Sequence, residues 1–394
     1  MASSDSQAPA LPQPTPIETD SSSSFACDYV AGVNRVLSLP PYLLVDNIGR
    51  NVEVWRFQPG DRAPIAQARY DLTSYPGDPI ASLLDVDIHA AFLRRNGQQL
   101  LTVNHYGRVR RFELPAQSAR MWPTGELQLL GDTERVVMAG DCFIGSSPRG
   151  EHTDDPAQPG VFFFEPVTAS LEASLEAPIE PPSGQTRRLA WEQVLADWGV
   201  VSALAVSAQG TRLAVAAGLR LGVFDLTRDR PGLRLGACLW ESALRFHCQW
   251  LHYDEAGRLL AGGHRPSPAA DGGDWDACRG GGIRVIAVDN SSRDHGAHDF
   301  AVELPEATSW GYGADPVVLA PDGRRIYVLG RDGSLYAIDL MTRTSRQVFG
   351  AVQTPDDTSV PSLGIGHSAM REGWLYAGFS RGGFRLLRYA LPRT

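Results

Sequence analysis

Short apolar runs separated by tight turns recur along this chain, and residues 315–340 give the clearest example. This segment holds three runs rich in Val, Ile, Leu and Tyr, separated by Pro-Asp-Gly (321–323) and Arg-Asp-Gly (331–333). Asp-Gly between apolar runs favours a hairpin, because glycine adopts positive φ without steric cost and aspartate tolerates it. The pattern therefore predicts a three-stranded antiparallel meander.

Seven units with this pattern follow one another, at spacings that suit four-stranded propeller blades with insertions. A ring protects the strand edges that an open sheet would expose. The sequence therefore predicts an all-β fold, a seven-bladed β-propeller with four-stranded antiparallel blades. Third strands are expected to begin near Val52, Val109, Val161, Leu221, Ile283, Leu335 and Phe384.

The two ends of the chain are expected to meet in the last blade. The seventh unit has only three predicted strands, so its outer strand must come from elsewhere, and residues 25–30 are the available donor. Residues 1–24 are dominated by Ser, Pro, Ala, Gln and acidic residues, which bury too little apolar surface to offset the entropy of ordering. The predicted organisation is a disordered tail, 1–24, and a propeller, 25–394, closed by its N-terminal strand.

One stretch indicates a helix instead of a strand. In residues 189–198, Trp191, Val194, Leu195 and Trp198 recur at three- and four-residue spacing, as on one face of a short helix. Gly199 would end it.

The units resemble the blades of WD40 and YVTN-type seven-bladed β-propellers. The resemblance lies in the Gly-containing turns at 95–97 and 321–323, and in third strands that end in an acidic residue and leucine, at 112–114, 224–226 and 337–340. It covers about residues 25–392. The Gly-His pair that opens each strict WD40 repeat and the Trp-Asp pair that closes it are absent from those positions of the units. The resemblance implies an architecture, and a fold does not imply a function.

Composition restricts the classes of partner. The formal charge of −9 disfavours sequence-independent binding to nucleic acid or to anionic membranes. The five cysteines are scattered and odd in number, which indicates free thiols in a reducing compartment. No secretory signal or long apolar span is evident, so a cytoplasmic protein is expected.

Candidate binding residues lie in loops that the predicted topology brings to one face. These are the second-to-third-strand loops, including the insertions at 146–160 and 263–281, and the connectors between blades. Long loops in compact folds are often functional, and aromatic residues among polar ones are typical of recognition surfaces. The candidates are His105, Tyr106, His152, Asp154, Asp155, Asp274, Trp275, Asp276, Trp310 and Tyr312. The alternative is that these loops are solvated and bind nothing.

The sequence gives less support to a catalytic site or a metal site. Asp271, Asp274 and Asp276 are close in sequence but lack the ligand spacing of a calcium loop. His89, His247, His252 and His367 lie on or near predicted inner strands, where they would form a site only if they converged. No hydrolase elbow, zinc-protease helix or phosphate-binding loop is present.

The sequence therefore favours a non-catalytic scaffold, a monomeric ring without cofactor or metal, that binds another protein through its loop-rich face. The alternative is a propeller enzyme, a lactonase-like hydrolase or isomerase, with a metal or an acid/base group at the mouth of the central channel. The two hypotheses differ in whether His89, His247 or His367 come together.

Overall fold

The computed structural model describes residues 11–16, 33–47, 51–58, 66–71, 88–104, 106–114, 121, 123–130, 133–147, 159–167, 188–229, 232–265, 279–286, 300–309, 316–320, 322–352, 361–365, 374–379 and 386–391. These residues form seven sheets of four strands each, and every strand pairing within the sheets is antiparallel. Each sheet is one blade, so the predicted all-β, seven-bladed propeller is confirmed.

The first strand, β1 (Thr15–Pro16), belongs to the last blade, and the others follow blade by blade. Blade 1 consists of β2 (Val33–Leu39), β3 (Tyr42–Asn47), β4 (Asn51–Arg56) and β5 (Ala66–Asp71). Blade 2 consists of β6 (Ile88–Arg94), β7 (Gln99–Asn104), β8 (Arg108–Glu113) and β9 (Gly125–Gln128). Blade 3 consists of β10 (Arg135–Ala139), β11 (Cys142–Ser147), β12 (Gly160–Phe164) and β13 (Trp191–Gln193).

Blades 4 to 6 repeat the same strand order, and blade 7 takes its fourth strand from the other end of the chain. Blade 4 consists of β14 (Ala203–Val206), β15 (Arg212–Ala217), β16 (Arg220–Asp229) and β17 (Gly232–Ala243). Blade 5 consists of β18 (His247–Tyr253), β19 (Leu259–His264), β20 (Arg279–Ile286) and β21 (Phe300–Ser309). Blade 6 consists of β22 (Val317–Leu319), β23 (Arg325–Leu329), β24 (Leu335–Asp339) and β25 (Thr344–Phe349). Blade 7 consists of β26 (Pro361–Ile365), β27 (Trp374–Phe379), β28 (Leu386–Ala390) and β1.

Seven clusters of buried apolar side chains hold the ring together, and each lies between two neighbouring blades. Between blades 1 and 2, for example, Val54 packs in one cluster with Phe112. The last blade joins the first in the same way, with the rings of Tyr376 and Trp55 edge to face at 5.4 Å. The core is therefore distributed around the ring.

Burial on both faces explains the composition of the middle strands. A middle strand of a blade is covered by the preceding blade on one side and by the following blade on the other. All residues of β3, β7 and β11 are accordingly buried, whereas the outer strand β17 is mostly exposed. Strands covered on both faces are expected to lack a regular alternation of apolar and polar positions, and β7 also buries the polar residues Gln99, Thr102 and Asn104.

The predicted helix at 189–198 is wrong. Trp191–Gln193 forms β13, which pairs with β12, and only Ala196–Trp198 is helical, as a short 3₁₀ helix. Leu195 and Trp198 are buried between blades 3 and 4, whereas Trp191 is 37% exposed. Residues with helix-like spacing thus fall in two elements, Trp191 in β13 and Trp198 in the 3₁₀ helix. Residues 191–193 are extended because the outer edge of β12 needs a strand to pair with.

Ring closure also differs from the expectation. The strand that pairs with β28 is Thr15–Pro16, while the predicted donor, residues 25–30, lies outside the described part of the chain, so that location is not confirmed. The boundary between a disordered tail and the propeller at residue 24 stays a prediction, although residues 11–16, inside that predicted tail, lie against the last two blades.

Candidate functional site

One face of the ring carries two kinds of connection, and we call it the loop face. In an antiparallel blade, the turn between the second and third strands emerges on the same side as the connector from the fourth strand to the next blade. The described parts of the loop face are the turns at 106–107, 218–219 and 330–334, the connectors at 129–130, 133–134, 194–202, 244–246, 316 and 350–352, and residues 159 and 265 at the ends of the two insertions.

Backbone hydrogen bonds hold the turn at 106–107 in place. Gly107 has φ of +66°, and a Cβ atom there would lie 2.0 Å from the carbonyl oxygen of Leu130. The Leu129 N–H donates to the Gly107 carbonyl at 2.8 Å, and the Gln128 side-chain amide donates to the Tyr106 carbonyl. Tyr106 is half-buried. The turn of blade 2 is therefore bound to the connector that leads to blade 3.

The same arrangement recurs at two other blades. In blade 4, the Leu244 N–H donates to the carbonyl of Leu219 at 2.6 Å. In blade 6, the Val352 N–H donates to the carbonyl of Asp332 at 2.9 Å. In each case the turn binds the connector that leaves the same blade, so the described loop face has a fixed backbone.

Two apolar side chains of the described loop face project into solvent. Val200, in the connector from blade 3, is 53% exposed, and Leu219, in the turn of blade 4, is 39% exposed. The Ser202 hydroxyl, two residues after Val200, donates to the Cys248 carbonyl and joins this connector to blade 5. Neither apolar residue was expected from the sequence, because a single apolar residue in a short connector produces no periodic pattern.

Beside them, the rim of blade 4 carries an aromatic and charged cluster that sequence reasoning also missed. The guanidinium of Arg220 lies 4.0 Å from the centroid of the Trp198 ring. It also binds Glu241 through two hydrogen bonds, with Nε to Oε1 at 2.8 Å and Nη2 to Oε2 at 3.3 Å. This hydrogen bonding lowers the pKa of Glu241 and raises the pKa of Arg220. Stacking and bidentate pairing together orient the guanidinium.

Nine of the ten residues of the predicted site lie outside the described part of the chain. Of the ten candidates, Tyr106 lies in the described part of the chain, at the position given above. The others lie outside the described residues, namely His105, His152, Asp154, Asp155, Asp274, Trp275, Asp276, Trp310 and Tyr312. Their common location on the loop face stays a prediction.

The two insertions emerge where the sequence placed them, but both are shorter than predicted, the first because β11 ends at Ser147 and β12 begins at Gly160. They connect β11 to β12 and β19 to β20, which are second-to-third-strand connections. The second is shorter than predicted, because His264 ends β19 and Arg279–Ile286 forms β20. His264 is therefore a buried strand residue instead of a loop residue.

The histidines on the innermost strands face different neighbours. His89 Nδ1 lies 3.3 Å from the carbonyl oxygen of Glu134, in the connector to blade 3. His247 stacks on His264, with ring centroids 5.2 Å apart, and burial, followed by the nearby His247, lowers the pKa of His264 to about 4. His367 lies outside the described residues. Across the segments that the structure describes, no group of three or more His, Cys, Asp or Glu residues could hold a metal ion.

Comparison with known proteins defines the architecture. No model of a known protein family matches the chain, and no curated protein matches it. Among solved structures, the Cps50 (Swd1) β-propeller domain of Myceliophteria thermophila is 15% identical with a TM-score of 0.55, and the match covers 92% of this chain and 97% of that one. The chain therefore has a β-propeller fold like that domain, as predicted. None of the helices in the described segments has the length and apolar character needed to span a membrane.

Proposed function

We propose that this protein is a non-catalytic scaffold that binds another protein through its loop face. The observation that supports this most directly is the pair Val200 and Leu219, two exposed apolar side chains of the loop face, of which Leu219 lies in a turn that is bound to its connector by a backbone hydrogen bond. They lie at the loop-face end of blade 4, as does the Trp198–Arg220–Glu241 cluster.

The chemistry of this region suits a protein partner. Arginine is enriched among the residues that contribute most to protein–protein binding, and the side chain of Arg220 is 40% exposed. A side chain on a rigid backbone loses less conformational entropy when a partner binds than one on a free loop. The net charge of −9 disfavours nucleic acid and anionic membrane as partners.

The proposed binding surface extends to the long loops of the same face. The loop residues included are His105, Tyr106, His152, Asp154, Asp155, Asp274, Trp275, Asp276, Trp310 and Tyr312. Their aromatic rings would add contact area to the exposed apolar pair, and their carboxylates would favour a partner with a basic surface.

We place this scaffold in the cytoplasm, where thiols stay reduced. Cys142, Cys238 and Cys248 are free, and burial raises the pKa of Cys248 to about 12, which keeps that thiol protonated and unreactive.

Affinity capture with matched variants tests the proposal. Leu219→Asp and Val200→Asp place a charge on the proposed surface without changing a buried residue. We expect each to weaken binding of the principal captured protein at least ten-fold, equivalent to about 1.4 kcal/mol. Binding is then measured with purified components by calorimetry.

Met341→Asp is the matched control, because Met341 is 75% exposed in the third-to-fourth-strand turn of blade 6, on the opposite face. It should bind as the wild type does. If the captured protein is retained by both loop-face variants and lost with Met341→Asp, the loop face is not the binding surface.

A further inference from the structure

The outer strand of blade 7 comes from residues 11–16, which we call the clasp segment. Two of its residues pair with β28, Thr15 with Arg388 and Pro16 with Leu387. The carbonyl of Pro12 accepts a hydrogen bond from the N–H of Gly350 at 3.2 Å, next to blade 6. Pro14 is buried, and the other residues of the segment are exposed.

The pairing of the clasp segment is short. The outer strands of blades 1 to 6 have six, four, three, twelve, ten and six residues, whereas β1 has two. Its partner β28 has five residues. Because proline has no N–H, Pro16 cannot donate to β28, so pairing at this position depends on the N–H and carbonyl of Thr15.

The rest of blade 7 has a core that does not depend on the clasp segment. Two clusters, one shared with blade 6 and one with blade 1, bury apolar side chains of β27 and β28, among them Leu375, Phe379, Leu387 and Tyr389. Both clusters are built from residues of blades 6, 7 and 1. The edge of β28 is therefore held in place by its own blade, whether or not a strand covers it.

The clasp segment also ends the sheet. Pro12, Pro14 and Pro16 alternate, so in an extended strand they share one side, and Thr15 lies on the other, facing β28. The outward side then lacks N–H donors at each proline, which prevents a further strand from adding. The edge of β28 therefore binds a single clasp segment, and each chain has one such edge and one such segment.

The connection between the clasp segment and the first blade is long. Sixteen residues, 17–32, separate Pro16 from Val33, and such a length of chain can span roughly 50 Å. A connection of this length lets the segment reach its own blade 7 or that of a neighbouring molecule.

We propose that the edge of β28 is a strand-docking site, and that the clasp segment of a second copy of this chain can occupy it. Reciprocal exchange between two copies uses both segments and both edges, so it gives a closed two-fold dimer. The ring is a monomer while the segment binds its own blade, since the linker keeps its effective concentration high.

The first test supplies the segment as a labelled peptide of residues 7–20 to the full-length chain carrying Thr15→Pro, which lacks the donor facing β28. Fluorescence anisotropy should show this variant binding the peptide at least ten-fold more tightly than the wild type, whose site is already occupied. Pro16→Ala is the control variant, because it keeps the Thr15 donor, and it should bind the peptide as weakly as the wild type. A peptide carrying Thr15→Pro should not bind.

The second test identifies the occupant. Native mass spectrometry of the full-length wild type should show a dimer that grows with concentration, while the Thr15→Pro chain, which cannot exchange its segment, stays monomeric. Peptide binding without a wild-type dimer would mean that the site binds only the segment of its own chain, and would overturn the assignment to a second copy. Equal peptide binding by wild type and variant, or unfolding of the variant, would overturn the docking site itself.

Discussion

Replacement of Gly107 by alanine tests whether the loop face is as fixed as its hydrogen bonds indicate. Gly107 lies next to Tyr106, in the turn between β7 and β8, with φ of +66°. A Cβ atom at this position would lie 2.0 Å from the Leu130 carbonyl oxygen and 2.7 Å from the Thr133 hydroxyl oxygen. The first of these atoms belongs to the backbone, so the turn or the connector must move.

The matched control is Gly97→Ala, in the β6–β7 turn on the opposite face. Gly97 has φ of +82°, and a Cβ atom added there would meet no other atom within 4 Å. This variant therefore carries only the cost of a left-handed alanine, about 1 to 2 kcal/mol. Gly107→Ala carries this cost too. It adds about 1 to 3 kcal/mol for overpacking and about 1 kcal/mol for the weakened hydrogen bond from Leu129.

We therefore expect Gly107→Ala to lose about 2 to 4 kcal/mol more unfolding free energy than Gly97→Ala. Urea unfolding of the two variants and the wild type measures this difference. Amide hydrogen exchange gives a local readout, since Leu129 should exchange faster in Gly107→Ala only. If both variants lose the same free energy and Leu129 stays protected, the turn is not bound to the connector as described.

Two further predictions concern buried rings. The pKa of His264, about 4, lies below its ordinary value of 6.5, so the unfolded chain takes up the proton first as the pH falls. The contribution of His264 to the free energy of unfolding is therefore complete above pH 6.5 and falls by about 2 to 3 kcal/mol towards pH 4. Urea unfolding across this range should show a smaller loss in His264→Gln than in the wild type. An equal loss in the two proteins would contradict the assignment of the low pKa to His264. Trp198→Ala should cost about 3 to 5 kcal/mol, because the buried ring packs on Gly222, whereas Trp191→Ala should cost about 1 kcal/mol because that ring is partly exposed. Equal losses in thermal or urea unfolding would favour a helix that buries both rings.

The blade pattern could be predicted from sequence because it is local. The Asp-Gly turns at 322–323 and 332–333 and the apolar runs beside them fix the hairpins of blade 6, and β24 begins at Leu335 as predicted. The error at 189–198 arose where local spacing fitted two structures. There, pairing of β13 with β12 decided between them, and that pairing involves residues some thirty positions apart.

The candidate site was less predictable. Sequence identified long aromatic and acidic loops, of which the described part of the chain includes only Tyr106. Val200, Leu219 and the Arg220–Glu241 pair gave no signal, because their exposure and orientation come from contacts between different strands and connectors.

The sequence by itself determined that this chain is a ring of seven antiparallel blades, since turn chemistry and apolar runs act over neighbouring residues. Only the tertiary structure decided which segment covers the edge of β28, which rings are buried, and which apolar side chains remain exposed on the loop face. Those outcomes depend on contacts between blades, in which residues far apart in the chain meet. The local pattern of apolar and polar residues does not specify which of these distant residues come into contact.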